Sequence, residues 1–155
     1  FGVPQNRERI FIFGYIDFIF FEFPEPKKLQ TKVGDILDDQ VPDNFTISDK
    51  MWKSAIRRKE NNRKRGYGFG FSLFDKESEY TSTISARYYK DGSEIWIDQD
   101  GKNPRMLTPN EARKLQGFPE GFQIPVSNLQ AYKQFGNSVS VPVIRAIAER
   151  IVKLL

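Results

Sequence analysis

Cysteine and histidine are both missing from the 155 residues, and that narrows the available chemistry at once. No disulfide can form, and no metal site built on thiolate or imidazole is possible, so no metal is expected. The commonest nucleophile and the commonest general base are gone as well. Aspartate, glutamate, serine and lysine chemistries remain open. Long apolar runs are also lacking. The stretch 10–23 is broken by Gly14, Asp17 and Glu22, far short of the roughly 18 uninterrupted residues of a membrane span, and it reads as strands. Nothing has the pattern of a secretory leader, so no membrane partner is expected and the cytoplasm is the expected location. The chain opens on Phe1 and not on methionine, which suggests a fragment, a processed chain or an excised piece.

What is present fits an ordinary globular protein: 39% hydrophobic and 28% charged residues, enough for one compact core or two small lobes. The net charge of +4 is unevenly spread. Residues 50–65 hold eight Lys or Arg against one Glu, a net +7, which leaves −3 for the remainder. Such a cluster suits a polyanion, because each cation near a phosphate releases condensed counterions. A solvated helix face would have the same composition.

Residues 9–16, RIFIFGYI, predict a strand buried on both faces, and DFIFFEF (17–23) a second strand ending at Pro24–Pro26. A short helix is expected at 33–38. Ser48 can cap a helix through the basic cluster, with Met51, Trp52, Ala55 and Ile56 at helical spacing, fraying near Asn61–Asn62 and stopping by Gly66. GYGFGF then alternates glycine with aromatics. TSTISARYY and SEIWID predict strands, with Asp91–Gly92 as a hairpin turn. Thr108-Pro109-Asn110-Glu111 spells a capping box with proline at the first helical position, for a helix running to Gln116 and stopped by Gly117. Ser127 caps a short following helix. The last helix begins near 139–142, with Val143, Ala146, Ile147, Ile151 and Leu154 as its apolar stripe.

Three segments stand out. In Gln5-x-Arg7-x-Arg9, side chains alternating just before the first strand project to one side, where two guanidiniums and an amide could grip a phosphate and a carbonyl oxygen. Surface arginines bonding nearby carboxylates would look the same. RMLTPNEARKLQGFPEGF (105–122) is explained by its cap and its turn, with Arg105 and Arg113 as scaffold donors. Gly136-Asn137-Ser138 before the last helix could offer backbone N–H groups and small polar side chains to a ligand, although ordinary helix caps share this form.

Taken in order, FGVPQNRERIFIFG, RMLTPNEARKLQGFPEGF and QAYKQFGNSVSVPVIRAIAERI resemble the eighth, ninth and tenth motifs of the cytosine-5 DNA methyltransferases. The stretch between the first and second lies where that family carries its variable target-recognition region. The resemblance implies an α/β fold: a remnant of a doubly wound, Rossmann-like methyltransferase sheet plus a small β-rich recognition lobe. It divides the chain into 1–23 (strands of the catalytic domain), 24–125 (recognition region with its organising motif) and 126–155 (a helix returning to the catalytic domain). It places Arg9 beside the base oxygen and the family's catalytic glutamate, with Gln5 and Arg7 supporting the substrate. Asn137 and Ser138 would touch the methionine end of S-adenosylmethionine, of whose pocket this chain holds half. Thr83-Ile84 resembles the Thr-Leu pair of such lobes, and with Ser85 and Arg87 it would reach DNA. An exposed arginine is the usual bidentate reader of guanine, while Ile84 and Tyr88 could equally be core. Arg57, Arg58, Arg63, Lys64 and Arg65 would meet phosphates.

In that family a cysteine thiolate attacks C6 of an extruded cytosine, a glutamate assists at N3, and C5 takes the methyl group. This sequence has no cysteine, no glycine-rich loop after a strand, and nothing like the family's Pro-Cys or Glu-Asn-Val motifs. The chain alone is therefore expected to be inactive. Its expected partners are double-stranded DNA and an N-terminal catalytic portion or subunit, with self-association where the orphaned strand and helix stripe lie bare. The resemblance implies a place in a restriction–modification system. The competing expectations are a non-catalytic nucleic-acid-binding or regulatory protein derived from the family, and an RNA-directed relative.

Overall fold

The computed structural model describes residues 1–16, 20–26 and 30–154. Local capping chemistry sets most of its elements. In chain order come 3-10 turns at Val33–Ile36 and Asp43–Phe45, helix α1 (Asp49–Lys64), strands β1 (Leu73–Phe74), β2 (Trp96–Gln99) and β3 (Lys102–Met106), and helices α2 (Pro109–Leu115), α3 (Asn128–Asn137) and α4 (Val141–Val152). The Ser48, Thr108 and Ser127 hydroxyls accept from the N–H groups of Met51, Glu111 and Gln130, as their positions predict. Each satisfies a helix donor that has no partner within the helix. Gln116 ends α2, and Gly117 follows at φ +75°.

The architecture is mixed α/β with a small sheet of order β1-β2-β3. β1 lies parallel to β2, and β2 antiparallel to β3 across a bulge between Ile97 and Gln99. The principal core joins the first 3-10 turn, β2, α2 and α3 through Val33, Ile84, Tyr88, Ile97, Leu115 and Phe135. A second cluster sets Ala55 of α1 against Trp96 and Ile47.

Six local expectations are corrected. Residues 9–16 form no strand; Ile10, Ile12 and Ile16 are 91%, 89% and 104% exposed. A parallel-type strand needs a neighbouring strand to pair its backbone and cover on both faces, and none of the described strands pairs with it. Of the second expected strand, Asp17, Phe18 and Ile19 lie outside the described residues, and Phe20–Phe23 form no strand. Phe13, Phe21 and Phe23 instead gather into a small ring cluster, with centroids 4.7 to 5.4 Å apart.

TSTISARYY is not a strand either. Thr81 alone pairs, in a single parallel bridge to Gln5, and 86–91 is a run of turns. Ile84 and Tyr88 are both fully buried, but the backbone between them turns and pairs with no strand, so their burial comes from the turn and not from a sheet face. The hairpin turn sits at Asp100–Gly101, between β2 and β3, not at Asp91–Gly92. The Asp91 carbonyl is used to accept from the Trp96 indole at 2.8 Å. Finally, α1 does not fray at Asn61–Asn62, and only Ile147 of the expected α4 stripe is fully buried.

Candidate functional site

The rigid base of the site is the start of α2. The Arg105 guanidinium donates to both Glu111 carboxylate oxygens, at 2.7 and 2.8 Å, and both side chains are buried. Glu111 also accepts from the N–H groups of Thr108 and Asp38, at 2.7 and 2.9 Å. A buried pair satisfied this completely tolerates its loss of water. Asp38 reaches the same cap, accepting from Thr108 Oγ1, Asn110 Nδ2 and Lys114 Nζ at 2.7 to 2.8 Å. Burial pushes its carboxyl up, but the bonds from Lys114, Thr108 and Asn110 together outweigh this and leave it below the usual carboxylate value. Arg113 holds the following turn through Asn110 Oδ1 and the carbonyls of Phe118 and Pro119. Arg105 and Arg113 are thus scaffold donors, as expected.

Against this base lies the N-terminal segment. The Gln5 amide donates to the Leu115 carbonyl at 3.2 Å and accepts from the Ile84 N–H at 3.0 Å. Arg7 donates to three carbonyls: Ile84 at 3.0 Å, Gly136 at 2.9 Å and Ser138 at 2.6 Å. One planar fork therefore spans the middle of the chain and the end of α3. Loss of water on burial, followed by the charge of Arg9, lowers the Arg7 pKa from its usual value. Arg9 itself is exposed, and bonds the Glu8 carbonyl.

Gly136 and Asn137 close α3, and Ser138 is its C-cap. The turn therefore offers carbonyls, where the sequence suggested N–H groups from a helix start. The negative end of the helix dipole explains why a guanidinium docks there. A side chain at Gly136 would collide with the Ser85 carbonyl and the Ala86 nitrogen, so the close approach of α3 to 85–86 requires glycine. Asn137 is exposed, while the Ser138 hydroxyl donates to the Phe135 carbonyl. A cleft of about 570 Å³ beside α4 is lined by Phe1, Pro24, Pro142 and Arg145 among others, and by neither Arg9 nor Asn137.

The segment 83–87 packs on the same strut. Thr83 Oγ1 donates to the Asn6 carbonyl, and Ser85 Oγ to Glu94 Oε1, each at 2.6 Å. Arg87 is exposed. Glu94 and Asp38 were not legible as partners, because each lies in a polar loop with no local pattern naming its contact. On α1, Arg57, Arg63 and Lys64 are exposed, as is the cap Arg65, and Arg58 lies 3.8 Å from Asp91.

Residues 1–153 match the family model for C-5 cytosine-specific DNA methylase. Type II methyltransferase M.NlaX of Neisseria lactamica is 62% identical over 97% of this chain and 48% of its own length. Type II methyltransferase M1.ScrFI of Lactococcus lactis subsp. cremoris is 58% identical over the whole chain and 41% of its length. The chain thus spans under half the length of these relatives. Among solved structures, the Entamoeba histolytica methyltransferase EhMeth superposes with TM-score 0.73 at 24% identity, over 98% of this chain and 50% of that one.

Proposed function

Because this chain belongs to the C-5 cytosine-specific DNA methylase family, we propose that it recognises duplex DNA and completes the active site of an enzyme that methylates cytosine from S-adenosylmethionine. The enzyme is assigned to a restriction–modification system, in keeping with the type II relatives. The observation that carries this reading is the Arg7 fork, which joins the carbonyl of Ile84, in the segment proposed to face DNA, to the turn at Gly136–Ser138. A substrate-side motif and a donor-side motif that share one guanidinium suit a two-substrate transfer, in which both reactants must be held in register.

Within it, Gln5 and Arg7 position, and Arg9 meets the base. The exposure of Arg9, when the other two side chains of its motif are tied internally, supports this division of roles. Asn137 meets the donor, since its side chain is open on a turn whose flanking carbonyls are pinned. The donor supplies the methyl group from a sulfonium. Ser138 contributes through the backbone and shape of the same turn. Residues 24–125 form the recognition lobe, and 1–23 with 126–155 return to the catalytic domain. The nucleophile comes from the N-terminal portion, so the chain alone transfers nothing.

Co-expression with the N-terminal portion of the Neisseria lactamica relative tests the reading directly. Methyl incorporation into duplex DNA is expected only when both parts are present, and Arg9→Ala is expected to cut turnover while leaving DNA affinity in place. DNA binding that persists with no transfer from any such pairing would favour a non-catalytic binding protein. Transfer to tRNA in preference to duplex DNA would favour an RNA-directed enzyme.

A further inference from the structure

The loop after α1 holds an aromatic feature that the motifs and the site above leave unused. In GYGFGF (66–71), Phe71 turns inward, its ring 5.3 Å from Trp96 and 4.9 Å from Trp52. Tyr67 and Phe69 turn outward, 53% and 65% exposed. Their rings stack on each other, with centroids 5.2 Å apart and planes 18° apart. The backbone beneath them is tied down on both sides. The Tyr67 N–H donates to the Asn62 carbonyl at 2.9 Å, and Asn62 Nδ2 donates to the Phe69 carbonyl at 3.0 Å. Lys59 Nζ donates to the Phe71 carbonyl at 3.3 Å and lies 4.2 Å from its ring centroid. Two large rings are thus held in solvent by an anchored loop, although the next aromatic shows that an inward course was available.

Their surroundings select the partner. Arg63, Lys64 and Arg65 are exposed and immediately precede the loop, at the end of the +7 segment. Eight Lys or Arg against one Glu in residues 50–65 suit a polyanion, and surfaces that bind unstacked nucleic acid pair cations for phosphates with aromatic faces for bases. A parallel ring pair already has the geometry that a nucleobase extends. We propose that Tyr67 and Phe69 stack on a base that is unstacked from the duplex DNA substrate, flanked by phosphate contacts from Arg63, Lys64 and Arg65. The contact rests on the DNA-directed reading above, and adds to it an apolar component of affinity that salt does not screen.

Binding of the full protein to a duplex oligonucleotide, titrated across a series of salt concentrations, tests this. The double substitution Tyr67→Ala with Phe69→Ala is expected to weaken binding on the order of tenfold or more at every salt concentration, leaving the slope against log salt unchanged. The leucine pair, Tyr67→Leu with Phe69→Leu, keeps the apolar bulk and guards against a folding defect; it too is expected to bind weakly. Tyr67→Phe with Phe69→Tyr, which retains both rings, is expected to bind as the parent does. Parent-like affinity in the alanine or leucine pair overturns the stacking contact, as does a loss that appears only as a shallower salt slope. If the unsubstituted protein binds no duplex DNA at all, the DNA-directed reading itself fails.

Discussion

Asp38 lies 70 residues from Thr108 in sequence, yet accepts its hydroxyl at 2.7 Å and an ammonium from Lys114 at 2.8 Å. Its carboxyl pKa is lower in the folded protein than the ordinary 3.8. A depressed carboxylate contributes stability that is complete above the ordinary value and is lost as pH falls through the folded one. Asp38→Asn is therefore expected to lower stability near neutral pH by about 1–3 kcal/mol, as for a lost charged hydrogen bond, and to flatten the decline on acidification. Urea midpoints at neutral and strongly acidic pH measure both effects. An unchanged acid limb in the variant would remove Asp38 from the linkage. At Gly136 the concern is room and not charge. Gly136→Ala must push α3 from the backbone at 85–86, and overpacking of that kind costs roughly 1–3 kcal/mol. A thermal midpoint equal to the parent's would show that this approach can relax.

Helix α1 presents its cations outward and buries little beyond Ala55. Replacing Arg57, Arg58, Arg63 and Arg65 with Gln should leave the melting temperature nearly unchanged, and should reduce the salt slope of DNA binding by about 0.9 for each phosphate contact removed. An unaltered slope would make the basic segment a solvated face. The elements also show where sequence is informative. The helices at Ser48, Thr108 and Ser127 carry their caps within four residues, so their starts could be read directly. The strand expected at 9–16 has strand composition, but pairing is a property of neighbours and cannot be written into one segment. Asp91–Gly92 and Asp100–Gly101 are the same dipeptide, yet the first lies in a loop whose Asp91 carbonyl accepts from the Trp96 indole while the second joins the paired strands β2 and β3. The site was legible to the same extent. Its residue types stood out, whereas the internal use of Gln5 and Arg7 depends on carbonyls that no side-chain pattern reveals.

At the scale of the molecule, a packed core coexists with bare apolar side chains. The core from Val33 to Phe135 is continuous, while Ile10, Ile12 and Ile16, together with Val152 and Leu154 near the end of α4, stay exposed. Apolar surface left this open favours association. Sedimentation velocity of the isolated chain is expected to show self-association that rises with concentration and disappears when the N-terminal portion is supplied. A monodisperse monomer at high concentration would argue that these residues need no cover.

The three-carbonyl grip of Arg7 bears on how such an enzyme could be taken apart. The donor sits at the seventh residue and its acceptors at 84, 136 and 138, so cutting the backbone just after Arg9 would strand the key on one piece and the lock on the other. A designer wanting two inert halves that revive on mixing would cut upstream of Gln5, where the latch travels whole with residues 84, 136 and 138.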